Sequence, residues 1–285
     1  MTDARAEIID SHQHFWQLSR GDYSWLTPEL SNLYSDFLPT DYIQVAGKNL
    51  PSNTVLVQAA DSDEETDFLL QLASENELVS GVVGWVQFDG ISQIVVERLK
   101  QLSVNPFFKG VRPMLQDIED VEWILNPAFN PTFECLVNLD LSFDALVKTE
   151  HLKTIYTLAN RHPKLKIVID HCAKPNITEN EFQLWADELA VFKPLTNVYI
   201  KVSGLTTEAN ADQQSSAHFQ HYFDHVYQTF GASRMMWGSD WPVVNLKSNY
   251  SDWLTLSQTL VSDLSEQEKE RFWYGTANEF YQLNR

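Results

Sequence analysis

An α/β fold, a (β/α)8 TIM barrel, is what this chain predicts, and two observations carry the prediction. Eight short β-rich runs alternate with stretches of helical periodicity along nearly all of the 285 residues. Residues able to do chemistry stand at the ends of those runs, where a barrel keeps its active site.

The β-rich runs are 7–10, 54–60, 78–88, 108–112, 141–147, 166–170, 198–202 and 234–238. Helical periodicity covers 64–75, 91–102, 152–161, 179–192 and 217–230, with a closing helix at 266–274 followed by 277–283. Strands separated by helices favour parallel crossovers, which bury the sheet on both faces; Ile167-Val168-Ile169 has the expected lack of alternation. The segment 17–53 is too long for a simple strand-to-helix link and carries Tyr23, Trp25, Tyr34 and Phe37 just after Trp16. It is expected to cover the barrel mouth, or to form helical turns at the domain edge. No Gly, Ser or Pro-rich boundary and no internal repeat divides the chain, so residues 1–285 are expected to form one domain.

Composition narrows the setting. A chain that is 44% hydrophobic and 12% aromatic can bury a large core. A net charge of -19 without a basic run argues against nucleic acid or an anionic membrane as a partner. No apolar run approaches the ~20 residues of a membrane span, and the N-terminal residues lack the apolar stretch of a secretory signal. A cytoplasmic, reduced protein is expected, with Cys135 and Cys172 as small buried hydrophobes.

The chemistry begins at the first run, Ile8-Ile9-Asp10-Ser11-His12-Gln13-His14. Residues i and i+2 of a strand share a face, so His12 and His14 project together from its carboxyl end. Neutral imidazole serves there as metal ligand, hydrogen-bond donor, or acid and base near pH 7. The sixth run leads into Asp170-His171, and the eighth into Gly238-Ser239-Asp240. Singly, a strand-end Asp can cap a helix and a His can be a satisfied core residue. Three histidines and one aspartate at equivalent ends point to a common site.

These residues carry a family resemblance. Asp10-Ser11-His12-Gln13-His14-Phe15-Trp16, Gly84-Trp85-Val86, Lys109-Gly110-Val111-Arg112, Asp170-His171 through Lys174-Pro175, and Trp237-Gly238-Ser239-Asp240-Trp241-Pro242 follow one another over almost the whole chain. In that order they resemble the amidohydrolase superfamily, in the branch that holds sugar-lactone and dicarboxylate-lactone hydrolases. The resemblance implies a distorted (β/α)8 barrel. It also implies that His12, His14, His171 and Asp240 line the site and are the candidate ligands where a divalent metal is used. The fifth run, 141–147, departs from the metal-binding pattern because it offers no histidine; the next is His151, which reaches the site from the following loop or lies on the surface.

Two chemistries follow. With Zn²⁺ or Mn²⁺ bound, three nitrogens and one oxygen suit a site that brings bound water to a pKa near ~7, with Asp240 orienting or deprotonating it. Without metal, Asp240 is the general base while the histidines and Arg112 stabilise the oxyanion. Arg112 ends the fourth run, and its planar guanidinium offers two parallel donors to a carboxylate or lactone oxygen; an ion pair with an acidic neighbour is its alternative role. Gln58, Trp85, Trp16, Trp25 and Trp241 are expected in the pocket wall, where flat apolar faces meet a polyhydroxylated ring, and His151 is a further candidate contact. The expected activity is hydrolysis of a small lactone, of the L-fucono or L-rhamnono aldonolactone type, by water attack on the ring carbonyl. Decarboxylation of a small unsaturated acid with a metal is the alternative within the superfamily, and a non-catalytic barrel scaffold lies outside it. A small-molecule lactone is the expected partner, with a homo-oligomer left open.

Overall fold

A computed structural model describes residues 7–283. Its strands are β1 (Ile9–Gln13), β2 (Asn53–Val57), β3 (Val79–Gly84), β4 (Phe108–Val111), β5 (Ser142–Ala145), β6 (Lys166–Ile169), β7 (Val198–Val202) and β8 (Met235–Trp237). They pair in parallel in chain order, β1 through β8. The ring closes beyond the end of β8, where the Asp240 amide donates to the His12 carbonyl and the His14 amide to the Trp241 carbonyl, each at 2.8 Å. This is a (β/α)8 barrel whose last seam lies at the carboxyl end, beside the site.

The strands differ from the predicted runs for local reasons. β1 starts later and runs on to Gln13, which pairs with Leu56, so His12 lies inside the strand and His14 just beyond it. β2 stops at Val57 because the Ala59 and Ala60 amides turn away from the ladder to the Glu65 carboxylate, at 2.9 and 2.7 Å. β3 stops at Gly84, and the next amide, of Trp85, is taken by the Thr66 hydroxyl at 2.9 Å. In each case a side chain captures a backbone donor and ends the sheet.

Helices α1 (Pro39–Ala46), α2 (Asp63–Glu75), α3 (Ser92–Ser103), α4 (Asn130–Asn138), α5 (Leu152–Arg161), α6 (Phe182–Ala190), α7 (Ser216–Phe230), α8 (Tyr250–Leu260), α9 (Glu266–Glu270) and α10 (Thr276–Tyr281) complete the fold. α1 lies inside the segment read as a long loop, and α4 and α8 were not foreseen. The closing helix breaks at a π-helical stretch, Arg271–Gly275. α10 then plugs the amino end of the barrel, packing Ala277, Phe280 and Tyr281 against Ile9, Val55, Val57, Val83, Val168 and Met236. At the opposite end Trp16, Tyr23, Leu26 and Leu33 form a separate cluster with Ala59 and Ala60. The Trp25 indole donates to the Ala59 carbonyl at 2.7 Å, which ties the 17–53 segment to the barrel mouth. Cys135 and Cys172 are buried and unpaired. No helix among the described residues is long and apolar enough to cross a membrane.

Glu65 gives this region a pH signature. Burial pushes its carboxyl from 4.5 up to about 8, against the opposing pull of the Ala60 and Ala59 amides. A carboxyl that is more basic in the folded state stabilises fully below its unfolded pKa and loses that contribution as pH rises. Stability is therefore expected to decline between pH 4.5 and about 8, by roughly 5 kcal/mol from this group. Urea unfolding at pH 5 and pH 8 measures it: Glu65→Gln should flatten the decline, and an unchanged slope in the variant would refute the assignment.

Candidate active site

The site is assembled at the carboxyl end of the barrel from β1, β4, β6 and β8. His12 and His14 do share a side of β1, with their Nε2 atoms 3.2 Å apart. His14 Nδ1 lies 2.7 Å from the Val57 carbonyl, which can only accept, so this nitrogen carries the proton and Nε2 faces the site with its lone pair. Asp10, just ahead of the register shift in β1, accepts from the Ser239 amide at 2.8 Å and from the Tyr42 hydroxyl at 2.6 Å. It thereby locks β1 to the loop after β8. Gly238 is required for the same approach, since a Cβ there would lie 2.7 Å from His12 Cβ.

Asp240 follows in the left-handed region, with φ 55°. Its Oδ1 lies 3.3 Å from His14 Nε2 and 3.8 Å from His12 Nε2, and its Oδ2 lies 3.9 Å from His171 Nδ1. Its carboxylate faces the three imidazoles rather than capping a helix. His171 opens a run of four left-handed residues, His171, Cys172, Ala173 and Lys174, with φ between 47° and 59°. Each such non-glycine residue costs roughly 1–2 kcal/mol, so the turn is held by its surroundings. The ring rests on Gly204, and Nδ1 meets the Ser203 hydroxyl at 2.9 Å.

Burial lowers the basicity of all three imidazoles, His12 and His171 furthest. Burial would raise the Asp240 carboxyl, but His171 and His14 beside it hold it below its ordinary value, so it is a carboxylate. Arg112 is buried at the end of β4. One of its terminal nitrogens donates to the Gln58 carbonyl, and the other lies 3.4 Å from His12 Nε2 and 3.5 Å from Asp170 Oδ2. The Gln58 amide returns a 2.6 Å bond to the Arg112 carbonyl.

These groups line the floor of a cavity of about 600 Å³. His14, Arg112, His171 and Asp240 reach it, as do Trp25 and Trp85; Phe88, Met114, Trp123 and Lys174 also line it and were not singled out. His12 lies directly beneath, fully buried. The structure does not bring Gln58, His151, Trp16 or Trp241 into the cavity wall. Gln58 is committed to Arg112. Trp241 turns into the core against Phe37 and Tyr42, with ring centroids 5.2 and 5.3 Å away. Trp16 supports Trp25 edge-on at 5.5 Å. His151 is buried ahead of α5, where Nδ1 accepts the Lys148 amide at 3.3 Å. Each is held by a neighbouring backbone group or ring, although Gln58 Oε1, His151 Nε2 and the Trp241 indole nitrogen are buried without a hydrogen-bond partner. Sequence reasoning missed Asp144, Ser203 and Lys201; a lysine within the apolar run Val198-Tyr199-Ile200-Lys201-Val202 was the available signal.

A divalent ion fits this donor set. His12, His171 and Asp240 each offer a ligand atom within 4.8 Å of the others. Asp240 Oδ1 is buried without a hydrogen-bond donor, the type of atom a cation satisfies. Imidazole nitrogen with carboxylate oxygen suits zinc or manganese.

The family model described as Amidohydrolase matches residues 9–283. The chain belongs to the amidohydrolase family. This amidohydrolase is 38% identical to an L-fucono-1,5-lactonase of Burkholderia ambifaria, over 97% of the chain and 96% of the relative. It is 32% identical to an L-fucono-1,5-lactonase of Burkholderia multivorans, over 96% of each. A crystal structure of an amidohydrolase from Burkholderia multivorans with bound zinc superposes with a TM-score of 0.91 at 31% identity, covering 98% of this amidohydrolase and 100% of that chain.

Proposed function

We propose that this amidohydrolase opens a small neutral sugar lactone of the L-fucono-1,5-lactone type. The observation that carries the reading is the Asp240 carboxylate, ionised and with an unpartnered oxygen, on the floor of a cavity walled by Trp25 and Trp85. The similarity to two L-fucono-1,5-lactonases over nearly their full length supports this substrate type. The chain works as one barrel domain, with the 17–53 segment supplying Ser24 and Trp25 to the wall.

In the proposed reaction Asp240 accepts a proton from water as the water oxygen bonds to the ring carbonyl carbon. The negative charge that develops on the carbonyl oxygen is met by Arg112 and the imidazole edge. The bond from carbonyl carbon to ring oxygen then breaks, and Asp240 returns its proton to the leaving ring oxygen. Water and lactone together give the hydroxy acid. Trp25 and Trp85 offer apolar faces to the ring, while the Asp61, Asp89 and Asp117 carboxylates at the cavity wall accept from its hydroxyls. Held by His12, His171 and Asp240 beside His14, a divalent ion, zinc by preference and manganese second, would act as a Lewis acid and lower the pKa of water.

The test is a panel of neutral aldonolactones offered to metal-stripped and zinc- or manganese-restored protein, followed with a pH indicator. One acid released per lactone consumed is expected, fastest on an L-fucono or L-rhamnono ring. Absence of acid release from every lactone in both preparations would defeat the reading.

A further inference from the structure

The left-handed turn after β6 brings a second side chain to the cavity besides His171. His171, Cys172, Ala173 and Lys174 have φ of 52°, 52°, 59° and 47°, and the Lys174 amide closes the turn on the His171 carbonyl at 2.8 Å. With about three residues to a turn, positions i and i+3 return to one side. Cys172 and Ala173 accordingly pack into the core, where the Trp185 indole donates to the Cys172 carbonyl at 2.7 Å. His171 and Lys174 both reach the cavity wall. Unfavourable backbone persists only where its surroundings impose it, and what this turn delivers is an imidazole and an ammonium on the same wall.

The two cationic side chains of that wall differ. Arg112 is committed, to the Gln58 carbonyl and, at 3.5 Å, to Asp170. Lys174 is half-buried and, among the described residues, forms no ion pair and no side-chain hydrogen bond. It acts on the Asp240 and Glu208 carboxyls through space without pairing with either. An ammonium has three donors and no acceptor, so all three stay open to a bound ligand.

The order of strands gives the cavity two arcs. Asp61, Asp89 and Asp117 follow β2, β3 and β4, whereas Lys174 and Asp240 follow β6 and β8 across the mouth. A neutral lactone and water give a hydroxy acid that is ionised near pH 7, so the reaction creates one negative charge beside the Asp240 carboxylate. Like charges repel strongly in a partly desolvated cavity, and Lys174 is the uncommitted cation on that arc. We propose that Lys174 is a further catalytic residue of this site, whose ammonium donates to the carbonyl oxygen as charge develops there and then holds the carboxylate of the opened product. The inference rests on the lactonase reading. It orients the substrate, with the reacting carbonyl towards Lys174 and Asp240 and the ring hydroxyls towards the three acids opposite.

Calorimetric binding of L-fuconate, the ring-opened acid, and of L-fucitol, its uncharged alditol, reads this contact without turnover when metal content is matched. Wild-type protein should bind L-fuconate, and Lys174→Met should bind it about tenfold more weakly with its L-fucitol affinity unchanged. Lys174→Arg, which keeps the charge, should recover most of the affinity. Lys100→Met, an equal change of net charge at an exposed position on α3, should alter neither affinity. In turnover, Lys174→Met should lower kcat on L-fucono-1,5-lactone by about 10²-fold and leave KM nearly unchanged. The proposal is overturned if wild-type protein binds no L-fuconate, or if folded Lys174→Met binds it as tightly, loses L-fucitol equally, or keeps its kcat. Lys174→Gln decides by the same measurements where Lys174→Met fails to fold. Wild-type protein that holds L-fuconate through Lys174 yet opens no lactone would remove the lactonase reading while supporting the anion contact.

Discussion

Replacing Asp240 by asparagine is expected to lower kcat on the best lactone by about 10²–10⁴-fold, the usual contribution of a general base. The amide keeps the volume and both positions around the carboxylate, 3.3 Å from His14 and 3.9 Å from His171, but cannot take a proton from water. The loss should fall on kcat rather than KM, because Trp25, Trp85 and Arg112 still form the cavity wall. Steady-state kinetics with circular dichroism on the same preparation separates a lost base from a lost fold. Full activity in a folded Asp240→Asn protein would remove the proposed mechanism.

Gly204→Ala should come next in size, although Gly204 touches no substrate. Its φ of 66° is a left-handed conformation that strains any side chain, and a Cβ there would lie 2.8 Å from His171 Nδ1 and 2.9 Å from His171 Cβ and Cγ. The ring has nowhere to retreat, since its own backbone is fixed in the left-handed turn from His171 to Lys174. Displacement of a reacting group by about 1 Å can cost on the order of 10²-fold in rate, and that loss is expected here, with roughly 1–3 kcal/mol of overpacking in stability. Gly21→Ala is the control: φ is 77°, but nothing lies within 4 Å of its Cβ, so it should strain the backbone and leave kcat unchanged. Equal kinetic losses in the two variants, measured beside their urea midpoints, would show that backbone strain, not His171, is responsible.

The parts of this fold that were legible in the chain are those written by local periodicity. Runs such as Ile167-Val168-Ile169 read as strands because burial on both faces requires continuous apolar residues. α2 and α7 read as helices, whereas α1, α4 and α8 did not. α1 begins with Pro39 and α4 carries Pro131 as its second residue; proline breaks a periodic pattern on paper yet fits a first helical turn. α8 is rich in serine and threonine, whose hydroxyls bond back to carbonyls four residues earlier; Thr255, Ser257 and Thr259 all do so.

For the site, spacing alone put His12 and His14 on one side of a strand, and position at strand ends singled out His171 and Asp240. Nothing local could distinguish Trp25, which faces the cavity, from Trp241, which faces the core, because that depends on where the 17–53 segment returns over the barrel. The sequence by itself determined the alternation of elements and the residue types at the strand ends, since both follow from periods of about two and 3.6 residues. Only the tertiary structure decided which side chains meet. Lys201, Asp144 and Asp170 are isolated charges in separate strand regions until barrel closure brings them within 3.0 Å of one another's atoms at Lys201, where burial makes their pairing obligatory.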